Sequence, residues 1–118
     1  MGQSQTAGDY VVLVQYDVTP DRQDMLTRGL QHEVERWVRH RDGFVTAQLR
    51  PGIDGQHVVA WLVWRTREDA VNYLESPEKG ALWEVIKSAG TRERQSTTCS
   101  HGIRVGATTR DAARPEQT

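Results

Sequence analysis

The residues of this sequence that could take part in chemistry are few and widely spaced. The four histidines show no metal-ligand spacing with one another, with Cys99 or with carboxylates, so we expect no metal site. His57 and His101 fall in predicted strands and could serve as a general base near neutral pH. A structural or solvent-facing role is more usual for a lone strand histidine. Cys99 is most simply a small buried apolar group, since nothing nearby in sequence favours a thiolate.

Two other residues suit an aromatic ligand. Trp64 closes an uninterrupted apolar run and could pack against a flat aromatic substrate, or it could be a core residue that bridges sheet and helix. Gln15 shares one strand face with Val11 and Leu13, and a polar group among apolar ones needs a hydrogen-bond partner. If that face lies under the helices, Gln15 could donate to a substrate oxygen. Tyr16 would then face the other side of the sheet.

Length and composition narrow the class of protein. The 118 residues allow one domain. The net charge of −1, from 15 basic and 16 acidic side chains, does not indicate a surface that binds nucleic acid. One cysteine excludes an internal disulfide and fits a reducing compartment. No apolar run approaches a membrane span. We therefore expect a soluble cytoplasmic protein that binds neither nucleic acid nor membrane, with a domain over 10–105 and flexible tails over 1–9 and 106–118.

The pattern of strands and helices predicts an α+β fold. Residues 10–18 and 44–50 read as strands, and a turn rich in Pro, Gly and Asp connects the second strand to a third that starts at His57. Apolar residues from Met25 to Val38 form one helical stripe. Two short helices broken near Ser76 and a weaker strand over 96–105 follow. This order is that of the ferredoxin-like split βαβ fold, an antiparallel sheet with both helices on one face.

The third strand is apolar on both faces. Val58, Ala60, Leu62 and Trp64 share one face, and His57, Val59, Trp61 and Val63 share the other. Helices can cover only one of these faces, and a bare apolar sheet face typically marks an interface. The simplest cover is a second copy of the chain in a two-fold homodimer, with Trp61 in the interface.

The block RWVRHRDGFVTAQLRPGIDGQHVVAWLVWRTREDA, residues 36–70, resembles the antibiotic biosynthesis monooxygenase family of dimeric α+β barrels. Its markers are a helix ending in Trp37, Gly43-Phe44 opening the second strand, Val58-Val59, and Trp64 followed by an acid-rich helix start. The pattern is nearest to the small anthrone oxygenases of aromatic polyketide pathways. The resemblance implies a substrate pocket between sheet and helices. It also implies oxidation of a phenolic, polycyclic aromatic substrate by O2 without metal, flavin or other cofactor.

The resemblance also implies which residues line the pocket. The well-known oxygenases have an Asn, a Tyr, an Arg and a His where this chain has Ala60, Ala70, Trp83 and Arg50. Haem-degrading relatives have a His at the place of Trp83, so haem degradation is disfavoured. Cyclisation or isomerisation in the same pocket, and ligand binding without catalysis, stay open as alternatives. The predicted catalytic residues are Trp64 and Gln15, and the predicted substrate-binding residues are Trp37, Ala60, Leu62, Tyr73 and Trp83.

Overall fold

The computed structural model describes residues 10–90, 92–100 and 105–106, with backbone alone for 92–95. The predicted tail 1–9 and residues 107–118 lie outside the described part, so the domain boundaries stay predictions. The described elements, in chain order, are β1 Tyr10–Asp17, α1 Gln23–Arg36, a 3₁₀ turn Val38–His40, β2 Phe44–Pro51, β3 His57–Trp64, α2 Arg67–Leu74, α3 Lys79–Ser88 and β4 Arg92–Cys99.

The strands form one antiparallel sheet in the order β2-β3-β1-β4. β1 and β3, the strands richest in β-branched and aromatic residues, are the two central strands, as their burial requires. The helices pack on one face of the sheet through residues such as Leu26, Leu30 and Ile86. The predicted ferredoxin-like α+β fold is confirmed. None of the described helices has the length and apolar character that a membrane span requires.

Local signals set the ends of the helices around β2 and β3. Gly43 lies between the 3₁₀ turn and β2 with a φ of 82°, a left-handed conformation that suits glycine. Thr66 caps α2, because its Oγ1 accepts a hydrogen bond from the backbone N–H of Asp69 at 3.1 Å. The predicted break between the two short helices is confirmed, since α2 ends at Leu74 and α3 begins at Lys79.

Alternation along the central strands defines two sheet faces. On β3, Val58, Ala60, Leu62 and Trp64 are buried under the helices, as are Val12, Val14 and Tyr16 on β1. The opposite face, which we name the open sheet face, presents the central residues Val11, Leu13, Gln15, Val59, Trp61 and Val63.

Two predictions about β1 are therefore corrected. Tyr16 is 3% exposed in the core rather than on the outer face. Gln15 lies on the open sheet face and not under the helices, because successive residues of a strand point to opposite faces.

The last strand also differs from its prediction over 96–105. β4 runs from Arg92 to Cys99 and pairs with β1 from Val11 opposite Cys99 to Asp17 opposite Arg92. A polar edge strand gives little hydrophobic pattern, so its register depends on backbone pairing with β1. Cys99 is exposed rather than buried, because the strand ends there at the sheet edge. His101 lies outside the described residues.

Candidate active site

Four aromatic side chains, which we name the aromatic layer, meet between the sheet and the helices. Trp64 ends β3, and its ring stacks on that of Tyr73 of α2 with centroids 5.0 Å apart. Tyr73 in turn stacks on Trp37 at 5.8 Å, and Phe44 meets Trp64 edge-on at 5.6 Å. These are preferred geometries for aromatic pairs. The layer therefore joins one strand end, one helix and the connection between α1 and β2.

Trp64 has an unusual environment for a buried indole. Its side chain is fully buried, and its Nε1–H has no hydrogen-bond partner within the described part of the chain. A buried donor without a partner costs about 1–3 kcal/mol. The described residues therefore supply no acceptor for this N–H.

Trp37 differs from Trp64 in this respect. Its Nε1 donates to Oε1 of Glu33 at 2.9 Å, and Arg36 donates to the same oxygen at 2.9 Å. The Glu33 carboxylate is buried, and the hydrogen bond from Arg36 lowers its pKa from the ordinary 4.5, assisted by the bond from Trp37. Trp37 is therefore fixed in place by an ionised carboxylate.

The floor of the layer is apolar. Ala60 and Leu62 lie on the same face of β3 as Trp64, and both are buried. Because Trp64 is fully buried, no water-sized space borders it in this conformation of the described chain. Beside the indole, the predicted pocket between sheet and helices is filled by protein side chains, so a ligand that reaches Trp64 must displace part of the layer.

A cleft lies beside the aromatic layer. This cleft, of about 540 Å³, lies between the start of β1, α2 and the end of β4. Its volume falls within the roughly 300–1,000 Å³ that is usual for small-molecule sites. Tyr10 pairs directly with Trp64 in the β1–β3 ladder, so the cleft adjoins the aromatic layer. Its lining residues are Tyr10, Arg67, Val71, Thr98, Cys99 and Ser100.

Five of the seven predicted site residues meet in this interior: Trp37, Ala60, Leu62, Trp64 and Tyr73. Gln15 and Trp83 do not. Gln15 is separated from Trp64 by the sheet, and Trp83 is 43% exposed, because α3 turns its neighbours Leu82 and Ile86 inward. The prediction that these two residues share a site with Trp64 is corrected.

His57 is held by acidic neighbours at the other end of β3. Its Nδ1 is 2.7 Å from Oδ2 of Asp54, and its Nε2 is 3.4 Å from Oδ1 of Asp17. It pairs with Asp17 at the end of the ladder opposite Trp64 and Tyr10. The contacts fasten the β2–β3 turn, so the structure gives His57 a structural role. No cluster of three or more potential metal ligands occurs among the described residues.

Sequence reasoning missed Tyr10, Arg67 and Phe44. Tyr10 has the same strand parity as Val12 and Val14, a signal that could have placed it beside Trp64. Phe44 opens β2 directly opposite Trp64. Arg67 lies in a charged run typical of a solvated surface, and nothing in that run indicates a cleft.

The fold is shared with solved monooxygenase structures. A monooxygenase from the ActVA-Orf6 gene of Streptomyces coelicolor, in complex with nanaomycin D, has 23% sequence identity and a TM-score of 0.70, covering 86% of this chain and 95% of that one. SnoaB, a cofactor-independent oxygenase from Streptomyces nogalater, has 14% identity and a TM-score of 0.59, covering 86% and 99%. A protein from Deinococcus radiodurans assigned to the antibiotic biosynthesis monooxygenases has 14% identity and a TM-score of 0.69, covering 84% and 98%.

The sequence comparisons give no further match: neither a protein-family model nor a curated protein sequence matches the chain. The solved structures confirm the resemblance to the antibiotic biosynthesis monooxygenase family at the level of the fold.

Proposed function

We propose that this protein is a cofactor-independent monooxygenase that oxidises a polycyclic, anthrone-like aromatic intermediate with O2. The fold is that of the ActVA-Orf6 monooxygenase and of SnoaB. The observation that carries the proposal is the Trp64 indole N–H, fully buried between aromatic rings and without a partner in the described chain. Such a donor suits the oxygen of a flat aromatic substrate.

This oxidation requires few acid–base groups from the protein. An anthrone that loses a proton gives an electron-rich phenolate or carbanion, which can pass an electron to O2 and then combine with the resulting radical. Loss of water from the peroxide gives the quinone: for 1,8-dihydroxyanthrone, the CH2 group becomes a carbonyl with one oxygen atom of O2, and the other atom leaves in water. The protein supplies binding, exclusion of water and a donor to the developing oxyanion. Trp64 is that donor in the proposal, and the substrate rings displace part of the aromatic layer and stack with the aromatic side chains that remain.

Oxygen consumption with 1,8-dihydroxyanthrone tests the proposal. The wild-type protein is expected to consume O2 faster than the spontaneous reaction. Trp64→Phe keeps a ring and removes the N–H, so its rate is expected to fall about tenfold or more. Trp83→Phe makes the same change on the exposed side of α3 and is the control, with a rate close to that of the wild type. A wild-type rate no higher than that of buffer contradicts the proposal.

A second candidate is favoured by the residues at the aligned polar positions. Ala60 and Ala70 are buried where the well-known oxygenases have an Asn and a Tyr, so these two positions supply no polar group to the interior. A cyclase or isomerase could work by shape and a single donor, and a ligand-binding accessory protein needs no chemistry. Product analysis without O2 separates these functions: a cyclase still converts its substrate, an oxygenase stops, and a binding protein is inactive in both conditions.

The proposal includes a homodimer in which a second copy covers the open sheet face. The apolar side chains of β1 and β3 on that face, with Trp61 at 43% exposure, support it. The proposal also places the protein in the cytoplasm, for which the single cysteine and its exposed position are suitable.

A further inference from the structure

The cleft beside the aromatic layer has a distinctive set of polar groups. Among the lining residues that the structure describes, there is one guanidinium, from Arg67, and one phenol, from Tyr10, but no carboxylate. The lining also includes two hydroxyl groups, from Thr98 and Ser100, and the apolar side chain of Val71. The one charged group of this described lining is therefore a cation, which favours an anionic ligand.

We propose that the cleft binds the anionic oxygen group of an aromatic ligand, with Arg67 as the cation and Tyr10 as a hydrogen-bond donor. The group is a phenolate, enolate or carboxylate. This inference rests on the proposed function and specifies its substrate: an anionic aromatic compound whose charged oxygen lies in the cleft.

The first support is the unpaired charge of Arg67. Within the described residues, Arg67 makes no ion pair and no side-chain hydrogen bond, unlike Arg28, Arg36 and Arg41, which are each paired with a carboxylate. Arg22, Arg39 and Arg65 are unpaired in the same sense, but of these four arginines Arg67 is the one that lines the cleft. The residues that follow it by three and four positions on α2, where a helical ion-pair partner would stand, are Ala70 and Val71. Its guanidinium is thus free to bind an anion through two parallel hydrogen bonds.

The second support is the position of Arg67 in the helix. It is the first residue of α2, where the helix dipole disfavours a cation and favours an anion. The dipole and the guanidinium both attract an anion at this place, against the repulsion of Glu68 and Asp69, which follow in the first turn and are not among the described lining residues.

The third support is the position of Tyr10. It is half-buried, its phenol has no partner within the described residues, and its backbone pairs with that of Trp64. Arg67 and Tyr10 both line the cleft, so the cleft lies next to the end of β3 that carries Trp64. An anionic oxygen bound at Arg67 brings the ligand beside the layer whose free N–H the proposed oxidation uses.

A pair of fluorescent probes tests the inference. 8-Anilinonaphthalene-1-sulfonate is aromatic and anionic, and N-phenyl-1-naphthylamine is the same ring system without the sulfonate. Arg67→Gln is expected to weaken binding of the sulfonate about tenfold and to leave the neutral probe unchanged. Arg67→Lys keeps the charge and recovers most of the affinity, and Tyr10→Phe weakens the sulfonate less than Arg67→Gln does. Arg39→Gln removes an equal charge from an exposed site outside the cleft and is the control.

The inference is overturned if Arg67→Gln behaves like Arg39→Gln, as it would if the sulfonate bound on the open sheet face. It is also overturned if Arg67→Gln lowers the affinity for both probes equally, because that result indicates a loss of apolar contact and not of charge. The outcome is independent of O2 consumption. Arg67-dependent binding without oxidation contradicts the proposed function alone, and oxidation without Arg67-dependent binding contradicts this inference alone.

Discussion

The two buried tryptophans of the aromatic layer satisfy their N–H groups differently. Trp37 donates to the Glu33 carboxylate, whereas Trp64 has no acceptor within the described chain, although both rings stack with Tyr73. The interior thus contains one anchored indole and one whose donor is unused. An unused buried donor is destabilising, and a ligand acceptor that completes its bonding is one reason for such a group to persist. In the proposed oxidation, this difference favours Trp64 over Trp37 as the donor to the substrate oxygen.

Glu33 gives a prediction about pH. Its folded-state pKa lies below the ordinary 4.5, because Arg36 and Trp37 donate to the carboxylate. The stabilisation is therefore fully present above pH 4.5 and is lost as the pH falls through the folded-state pKa. Glu33→Gln should lower the free energy of unfolding by about 1–2 kcal/mol at pH 7. The difference in free energy of unfolding between the wild type and this variant should shrink as the pH falls below 4.5.

Urea denaturation at a series of pH values measures this gap. Glu35→Gln, which neutralises an exposed carboxylate on the same helix, is the control and should leave stability nearly unchanged at every pH. A gap for Glu33→Gln that is the same at neutral and acidic pH contradicts the assigned role of the ion pair.

At the scale of residues, the sequence predicts the buried face of β3 but not that of β1. The resemblance places Trp64 at the pocket, and strand alternation then puts Ala60 and Leu62 on the same face. The structure has all three on that face and buried. β1 is apolar at both parities, and only the packing of helices on Tyr16 decides that Gln15 faces outward. The cleft residues Tyr10 and Thr98 are distant in sequence, so no local pattern indicates that they meet.

Among the elements, α2 has the most direct part in the site. It carries Tyr73 into the aromatic layer and Arg67 into the cleft, and its start is fixed by Thr66 and Asp69. Gly43 packs against this start so closely that a Cβ there would lie 2.0 Å from Oδ2 of Asp69. The beginning of β2 and the beginning of α2 therefore constrain each other, which positions both aromatic and cationic groups.

The cap of α2 can be tested by paired substitutions at one position. Thr66→Ala removes the acceptor for the N–H of Asp69 and should lower the free energy of unfolding by about 1 kcal/mol. Thr66→Ser keeps a hydroxyl and should retain most of the stability. Thermal denaturation of the two variants measures the difference, and an equal loss in both would mean that the methyl group of Thr66, not the cap, is responsible.

Elements with a strong local pattern are predicted well, and the one without it is not. The stripe of α1, the break between α2 and α3, and the β2–β3 turn all have apolar periodicity or turn residues that identify them. β4 begins in a charged segment, Arg92 and onward, and forms a strand because β1 offers a free edge. Its position is a property of the sheet rather than of its own residues.

For the whole molecule, the two faces of the sheet have different functions in the proposal. The face under the helices carries the aromatic layer, and the cleft adjoins it. The open sheet face has apolar side chains on its central strands, while β2 presents Thr46, Gln48 and Arg50 opposite Val63, Trp61 and Val59. An apolar centre with a polar rim is the composition of a protein interface. A second copy of the chain satisfies this face by two-fold symmetry.

Two tryptophans of equal exposure make the dimer testable. Trp61, on the open sheet face, and Trp83, on α3, are each 43% exposed, so a substitution to Glu changes the same side chain at similar solvent access. Trp61→Glu places a charge in the proposed interface and should convert the dimer to monomer, whereas Trp83→Glu should stay dimeric. Sedimentation velocity measures both. A wild-type chain that sediments as a monomer contradicts the proposed dimer, and dissociation by Trp83→Glu alone would place the interface on the helices instead. Because the cleft and the aromatic layer lie on the other side of the sheet, a folded Trp61→Glu monomer should still bind the anionic probe through Arg67.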